Sequence, residues 1–102
     1  MDFESMAAEN KYIRGFICRA LVNCARNRAP VKQIADALVA RGTIIVPDIS
    51  KQVDYLIKGG YVCFVDQKIT AYSKYAEDGV IELTKEGIDL IEGTIEDDGV
   101  DI

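Results

Sequence analysis

The chain has 102 residues, 49% hydrophobic and 28% charged, a balance that suits one globular domain with a single core and excludes a disordered or fibrous chain. No apolar run approaches the ~20 residues that span a bilayer, and Met1-Asp2-Phe3-Glu4 lacks the basic start and apolar stretch of a secretory signal, so a soluble, cytoplasmic protein is expected. With no histidine, the usual neutral-pH base and zinc ligand are missing; Cys18, Cys24 and Cys63 form no CxxC pair and are expected to be reduced core residues. No catalytic group, metal or cofactor is expected.

The formal net charge of -5 hides a segregation along the chain. Residues 1–74 carry eleven Lys and Arg against seven Asp and Glu, whereas residues 75–102 carry only Lys85 against ten acids. Between residues 11 and 74 the acids are Asp36, Asp48, Asp54 and Asp66, which leaves a surplus of seven positive charges. A basic body points toward nucleic-acid contact; a solvated surface with a solubilising tail is the plain alternative.

In chain order, Ile13, Phe16, Ile17, Ala20, Leu21 and Cys24 recur at helical spacing and predict an amphipathic helix over 4–26. Gly15 costs such a helix about 1 kcal/mol relative to alanine, a sign of close packing there or of a break. Arg14, Arg19 and Arg26 lie off the apolar stripe. Asn27-Arg28-Ala29-Pro30 ends this helix, with Pro30 placed as the first residue of the next. That second helix, 31–41, buries Val31, Ile34, Ala35, Leu38 and Val39, and Gly42 follows where a left-handed cap is wanted. Thr43-Ile44-Ile45-Val46-Pro47 is expected to be an extended turn packing into the core.

Asp48 is placed to cap a third helix running to Lys58. Ile49, Val53, Leu56 and Ile57 form its inner face, Lys51, Asp54, Tyr55 and Lys58 lie opposite, and Ser50 and Gln52 flank the boundary. Gly59-Gly60 stops the helix. Residues 61–65 and 80–83 read as an antiparallel hairpin. The long connection at 66–79 either extends the pairing over Lys68 to Tyr72 or has a role of its own. Thr84 caps a last helix over 85–92 that docks Ile88, Leu90 and Ile91. These elements form a domain of residues 1–92, followed by an acidic tail, 93–102, expected to be mobile. The expected core gathers Ile17, Leu21, Ile34, Leu38, Val53, Leu56, Ile57, Val62, Phe64, Leu83, Ile88 and Ile91.

Val53-Asp54-Tyr55-Leu56-Ile57-Lys58-Gly59-Gly60-Tyr61-Val62 resembles the passage from recognition helix to wing in MarR, PadR and related bacterial regulators. Ile81-Glu82-Leu83-Thr84-Lys85-Glu86-Gly87-Ile88-Asp89-Leu90-Ile91 resembles the run that closes the wing in the same families. With its small size and leading amphipathic helix, the chain over about residues 10–92 is most similar to the small winged-helix proteins of Mu-like prophages. The resemblance implies an α+β winged helix-turn-helix: a three-helix core, a two-stranded antiparallel wing and a C-terminal helix.

Such a fold implies binding of double-stranded DNA by Ser50, Lys51, Gln52, Tyr55 and Lys58 on the second helix of the motif. That helix has no arginine, so bidentate Arg–guanine reading is absent; Gln52 suits adenine, and Lys51 and Lys58 suit phosphates. Arg26, Arg28 and Lys32 gather at the start of the motif, where side chains and helix N-terminal amides meet phosphate. Lys68 and Lys74, with Tyr72 and Tyr75, make a basic, aromatic loop that either follows the DNA backbone as a wing does or covers the sheet edge. For each of these residues a solvated surface is the bland alternative. Asp97, Asp98 and Asp101 lack the loop glycine and closing glutamate of a calcium site and read as an unliganded tail competing with DNA for the basic surface.

The leading expectation is a DNA-binding transcriptional regulator of phage or bacterial type, a homodimer through the first helix. A winged-helix protein-interaction adaptor without DNA binding is the alternative.

Overall fold

Val80 to Leu83 alternates half-buried and buried residues, and the two inward ones, Ile81 and Leu83, are nearly inaccessible to solvent. This is the period of two expected of a strand with one face on a core. The computed structural model describes residues 3–73 and 76–102. Its elements run α1 (Phe3–Val22), β1 (Arg28–Pro30), α2 (Val31–Ala40), α3 (Ser50–Lys58), β2 (Val62–Phe64), β3 (Val80–Leu83) and α4 (Lys85–Ile91), with short 3-10 turns at Ala25–Asn27 and Ala76–Asp78. The domain is α+β, and its antiparallel sheet has the order β1-β3-β2.

The register decides which side chains meet the helices. Ala29 and Phe64 both pair with Ile81, and Val62 pairs with Leu83; all five are buried. The residues between them, Arg28, Glu82 and Cys63, pair in one row on the outer face. Cys63 is therefore exposed, against the expectation of three core cysteines. Cys18 is the buried one, and burial pushes its thiol up to about 12; Cys24 is half-buried.

The helices cover the inner face with the stripes their spacing predicts. Ile13, Ile17 and Leu21 of α1, Ile34 and Leu38 of α2, and Val53 and Leu56 of α3 are all buried. Ile57, Ile88 and Ile91, expected in the core, are only partly buried against it, as is Phe16. Three helices close in the same manner. Beyond α2, Gly42 (φ 78) and Thr43 donate to the Val39 and Leu38 carbonyls; beyond α3, Gly60 (φ 81) and Tyr61 donate to those of Ile57 and Leu56; beyond α4, Gly93 (φ 81) and Thr94 donate to those of Leu90 and Asp89. A left-handed residue is needed at each closure, and glycine adopts that conformation without steric penalty.

Several boundaries differ from the sequence pattern. α1 ends at Val22 rather than 26: Cys24 is already extended (φ -93, ψ 154), and Arg26 and Asn27, with left-handed φ values of 58 and 57, then turn the chain into β1. That third strand was not predicted. It is three residues long and exists only through pairing with β3, so the sheet is three-stranded where a two-stranded wing was expected. Pro30 ends β1 and serves as the N-cap of α2 rather than its first residue; at the end of an edge strand its missing N–H costs no ladder bond. In the connection after α2, Ile44 is partly buried, but Ile45 is 93% and Val46 68% exposed. Only one of the three aliphatic residues therefore contributes to the core. The 66–79 connection does not prolong the hairpin beyond the bond from Val65 N to the Val80 carbonyl; among its described residues it folds back and buries Ala71 and Ala76.

Thr84 ties the sheet to α4. Its hydroxyl donates to the Gly60 carbonyl at 2.5 Å and accepts from Gly87 N at 3.1 Å, and its own amide donates to the Tyr61 carbonyl. α4 consequently lies so close that a Cβ at Gly87 would strike the Tyr61 carbonyl oxygen and the Leu83 side chain. Gly87→Ala should thus destabilise the domain by about 1–3 kcal/mol in urea unfolding, as overpacking does, although alanine is the better helix former by about 1 kcal/mol; a stabilised variant would contradict this close approach.

Candidate functional site

α3 presents the residues singled out in the sequence, but not all on one surface. The N-cap position of α3 is held by Ile49 rather than Asp48; one residue outside it, the Asp48 carboxylate accepts from the Ser50 amide at 3.0 Å and hydroxyl at 2.6 Å. These bonds hold the Asp48 carboxyl below its usual range. Ser50 is half-buried and committed to this turn. Gln52 is buried, with Nε2 donating to Asn10 Oδ1 of α1 at 2.9 Å. It faces α1 rather than solvent, so it does not stand on the open face where contact with adenine was expected.

The open side of α3 holds Lys51, Asp54, Tyr55 and Lys58. Lys58 pairs with Asp54 at 3.0 Å, whereas Lys51 is exposed and has no ion pair among the described residues. Around them lies a surface cavity of about 520 Å³ that Arg14, Tyr72 and Asp97 help to line. Arg14 places its guanidinium over the Tyr55 ring, 3.6 Å from the centroid, a cation–π contact. Arg14 and Asp97 are the members that sequence reasoning missed. The interior Gly15 beside Arg14 was the available signal, since it marks the point where another segment touches α1.

That segment is the acidic one. Residues expected to be mobile pack across α1, and Val100 is buried. Arg14 donates to the Gly99 carbonyl at 3.0 Å and Arg19 to that of Asp101 at 2.7 Å, while the Asp101 amide donates to the Lys11 carbonyl at 3.1 Å. A Cβ at Gly15 would collide with the Asp101 carbonyl. Asp97 accepts from the Tyr61 hydroxyl at 2.6 Å and the Gly99 amide at 2.8 Å. The bond from Tyr61 holds the Asp97 carboxyl below its usual range, and the same bond, with burial, pushes the Tyr61 phenol up to about 12.

The remaining sequence candidates lie apart from this cavity. Arg26 is exposed in its left-handed turn. Arg28, on β1, is bound to Glu82 at 2.6 Å. Lys32 is exposed in the first turn of α2 and lines a different depression with Pro30 and Asp36. The Val31 amide at that helix start already donates to the Gly79 carbonyl, which removes one donor that would meet a phosphate. Lys68 is exposed in a turn where its amide donates to Asp66. Lys74 and Tyr75 lie outside the described residues. Among the described residues no helix is long and apolar enough to cross a membrane. Searches of family models, curated proteins and solved structures find no match to this chain.

The Tyr61–Asp97 bond has a pH signature. Asp97 is lowered in the folded state, so its contribution to stability is complete above the ordinary carboxylate value of 3.8 and is lost as pH falls through the lowered one. Asp97→Asn should therefore destabilise at pH 7 and flatten the loss of stability in urea unfolding between about pH 5 and pH 2. An unaltered acid limb would contradict the bond.

Proposed function

We propose that this chain is a winged helix-turn-helix DNA-binding protein, a regulator of phage or bacterial type, that grips duplex DNA chiefly through phosphate contacts. The observation that carries this reading is the outer face of α3, where Lys51 and Lys58 stand about 10 Å apart along the helix beside Tyr55 and Arg14. The chain order α1-β1-α2-α3-β2-β3-α4 and the sheet order β1-β3-β2 support the winged-helix assignment, with the antiparallel pair β2–β3 as the wing. Withdrawal of Gln52 from the open face and the lack of arginine on α3 favour backbone contacts over base reading. Phe3, 85% exposed, and Met6, 41% exposed, at the start of α1 support pairing of two copies through that helix.

A protein-interaction adaptor is the second reading. The neutralisation of Lys58 by Asp54 and of Arg28 by Glu82 favours it.

Titration with random-sequence duplex DNA at increasing salt separates the two. A phosphate-gripping protein binds at low salt, and its affinity falls linearly on a log–log plot. Replacing Lys51 and Lys58 together by alanine should weaken binding to all sequences and lower the slope by about one unit per lost contact. An unchanged slope would remove α3 from the interface, and no binding at low salt would leave the adaptor.

A further inference from the structure

Another concave surface adjoins the cavity at α3 and shares Asp97 with it. Between α4, the first half of α1 and residues 94–102 lies a groove of about 440 Å³, within the ~300–1,000 Å³ usual for ligand clefts. Its floor is aliphatic, with Leu90, Ile91, Ile95 and Ile102 among the lining residues; Ile95 is 37% and Ile102 50% exposed. Its rim carries Glu96, Asp98 and Asp101 against a single cation, Lys11. None of these three carboxylates has an ion-pair partner among the described residues. Asp97, which also lines the groove, is by contrast occupied by Tyr61 and Gly99.

We propose that this groove docks a basic amphipathic helix of a partner protein, its apolar side chains on the isoleucine floor and its Lys or Arg heads against Glu96, Asp98 and Asp101. Charge complementarity selects this occupant. Unpaired carboxylates around an apolar floor repel phosphate and anionic lipid. They also do not converge on a metal: among the described residues no three His, Cys, Asp or Glu side chains gather as ligands. A purely polar cationic peptide would leave the isoleucines uncovered, and a purely apolar one would desolvate the carboxylates without pairing them. Lys and Arg meet both demands, because their aliphatic stems cover apolar surface while their heads reach the rim. The groove persists only because the 94–102 segment is packed on α1, so the same docking that orders the segment builds the surface.

The probes are three labelled synthetic helices of about four turns: one of leucine and lysine with a single apolar face, one with glutamate replacing lysine, and one with serine replacing leucine. Fluorescence anisotropy with the full chain should show the leucine–lysine helix binding at least tenfold more tightly than either control, with affinity falling as salt rises. Ile95→Ser should weaken it about tenfold. Glu96→Gln combined with Asp98→Asn should weaken it several-fold and reduce its salt dependence. These positions are exposed, so an unchanged thermal midpoint verifies that the variants are folded. Equal binding of the lysine–serine helix would show simple charge attraction and overturn the proposal, as would affinity unchanged by the Ile95 and carboxylate variants. The proposal does not rest on DNA binding: replacing Lys51 and Lys58 by alanine should leave affinity for the helix intact, so either surface can fail without the other.

Discussion

The contact between the C-terminal segment and Gly15 of α1 governs how the rest of this molecule is arranged. A helix interior ordinarily loses stability to glycine, yet here the missing side chain admits the Asp101 carbonyl against the helix. Once the segment lies there, Arg14 and Arg19 bind its carbonyls, Val100 enters the core, and Asp97 reaches Tyr61 beside β2. Arg14 is held over Tyr55 by the same arrangement. The first helix, the third helix and the end of the chain thus form one connected unit, which is why both candidate surfaces adjoin this segment.

Charge takes on a different meaning in three dimensions. Along the sequence a basic body and an acidic tail look like opposing parts, suited to competition for one ligand. In the fold, Arg14 and Arg19 serve backbone carbonyls and Asp97 serves a phenol, so much of that charge is spent on structure. Beside the two cavities, the exposed charge that is left includes Lys51 on α3, next to Lys58 in its pair with Asp54, and Glu96, Asp98 and Asp101 on the groove rim. The first set suits an anionic polymer and the second a cationic partner, and Asp97 lines both cavities. The two surfaces are neighbours of opposite sign.

Local signals carried the parts of the fold that were legible in the sequence. The stripes of α1, α2 and α3, the closing glycines at 42 and 60, the 62–64 and 80–83 strands and the Thr84 cap all follow from spacing and turn chemistry within a few residues. The missed features depend on partners far away in sequence. β1 exists by pairing with β3, Gln52 is buried by Asn10, and residues 99–101 are ordered by Lys11, Arg14 and Arg19. Ile45 and Val46 show the converse error: hydrophobic character alone does not place a residue inside when the turn gives only Ile44 an inward position. On the candidate site, Lys51, Tyr55 and Lys58 were legible from helix phase, whereas Arg14 required knowing what crosses Gly15.

Amide hydrogen exchange across residues 94–102 tests most directly whether this segment is a built part of the domain. The Asp101 amide donates to the Lys11 carbonyl and the Val100 amide to that of Asp97. Both should exchange far more slowly than an unstructured peptide, approaching the rates of α1 amides near Gly15, because opening them requires lifting Val100 from the core. Exchange of Val100 and Asp101 at unstructured-peptide rates, with α1 still protected, would contradict the packing of the segment and with it the groove that the segment encloses.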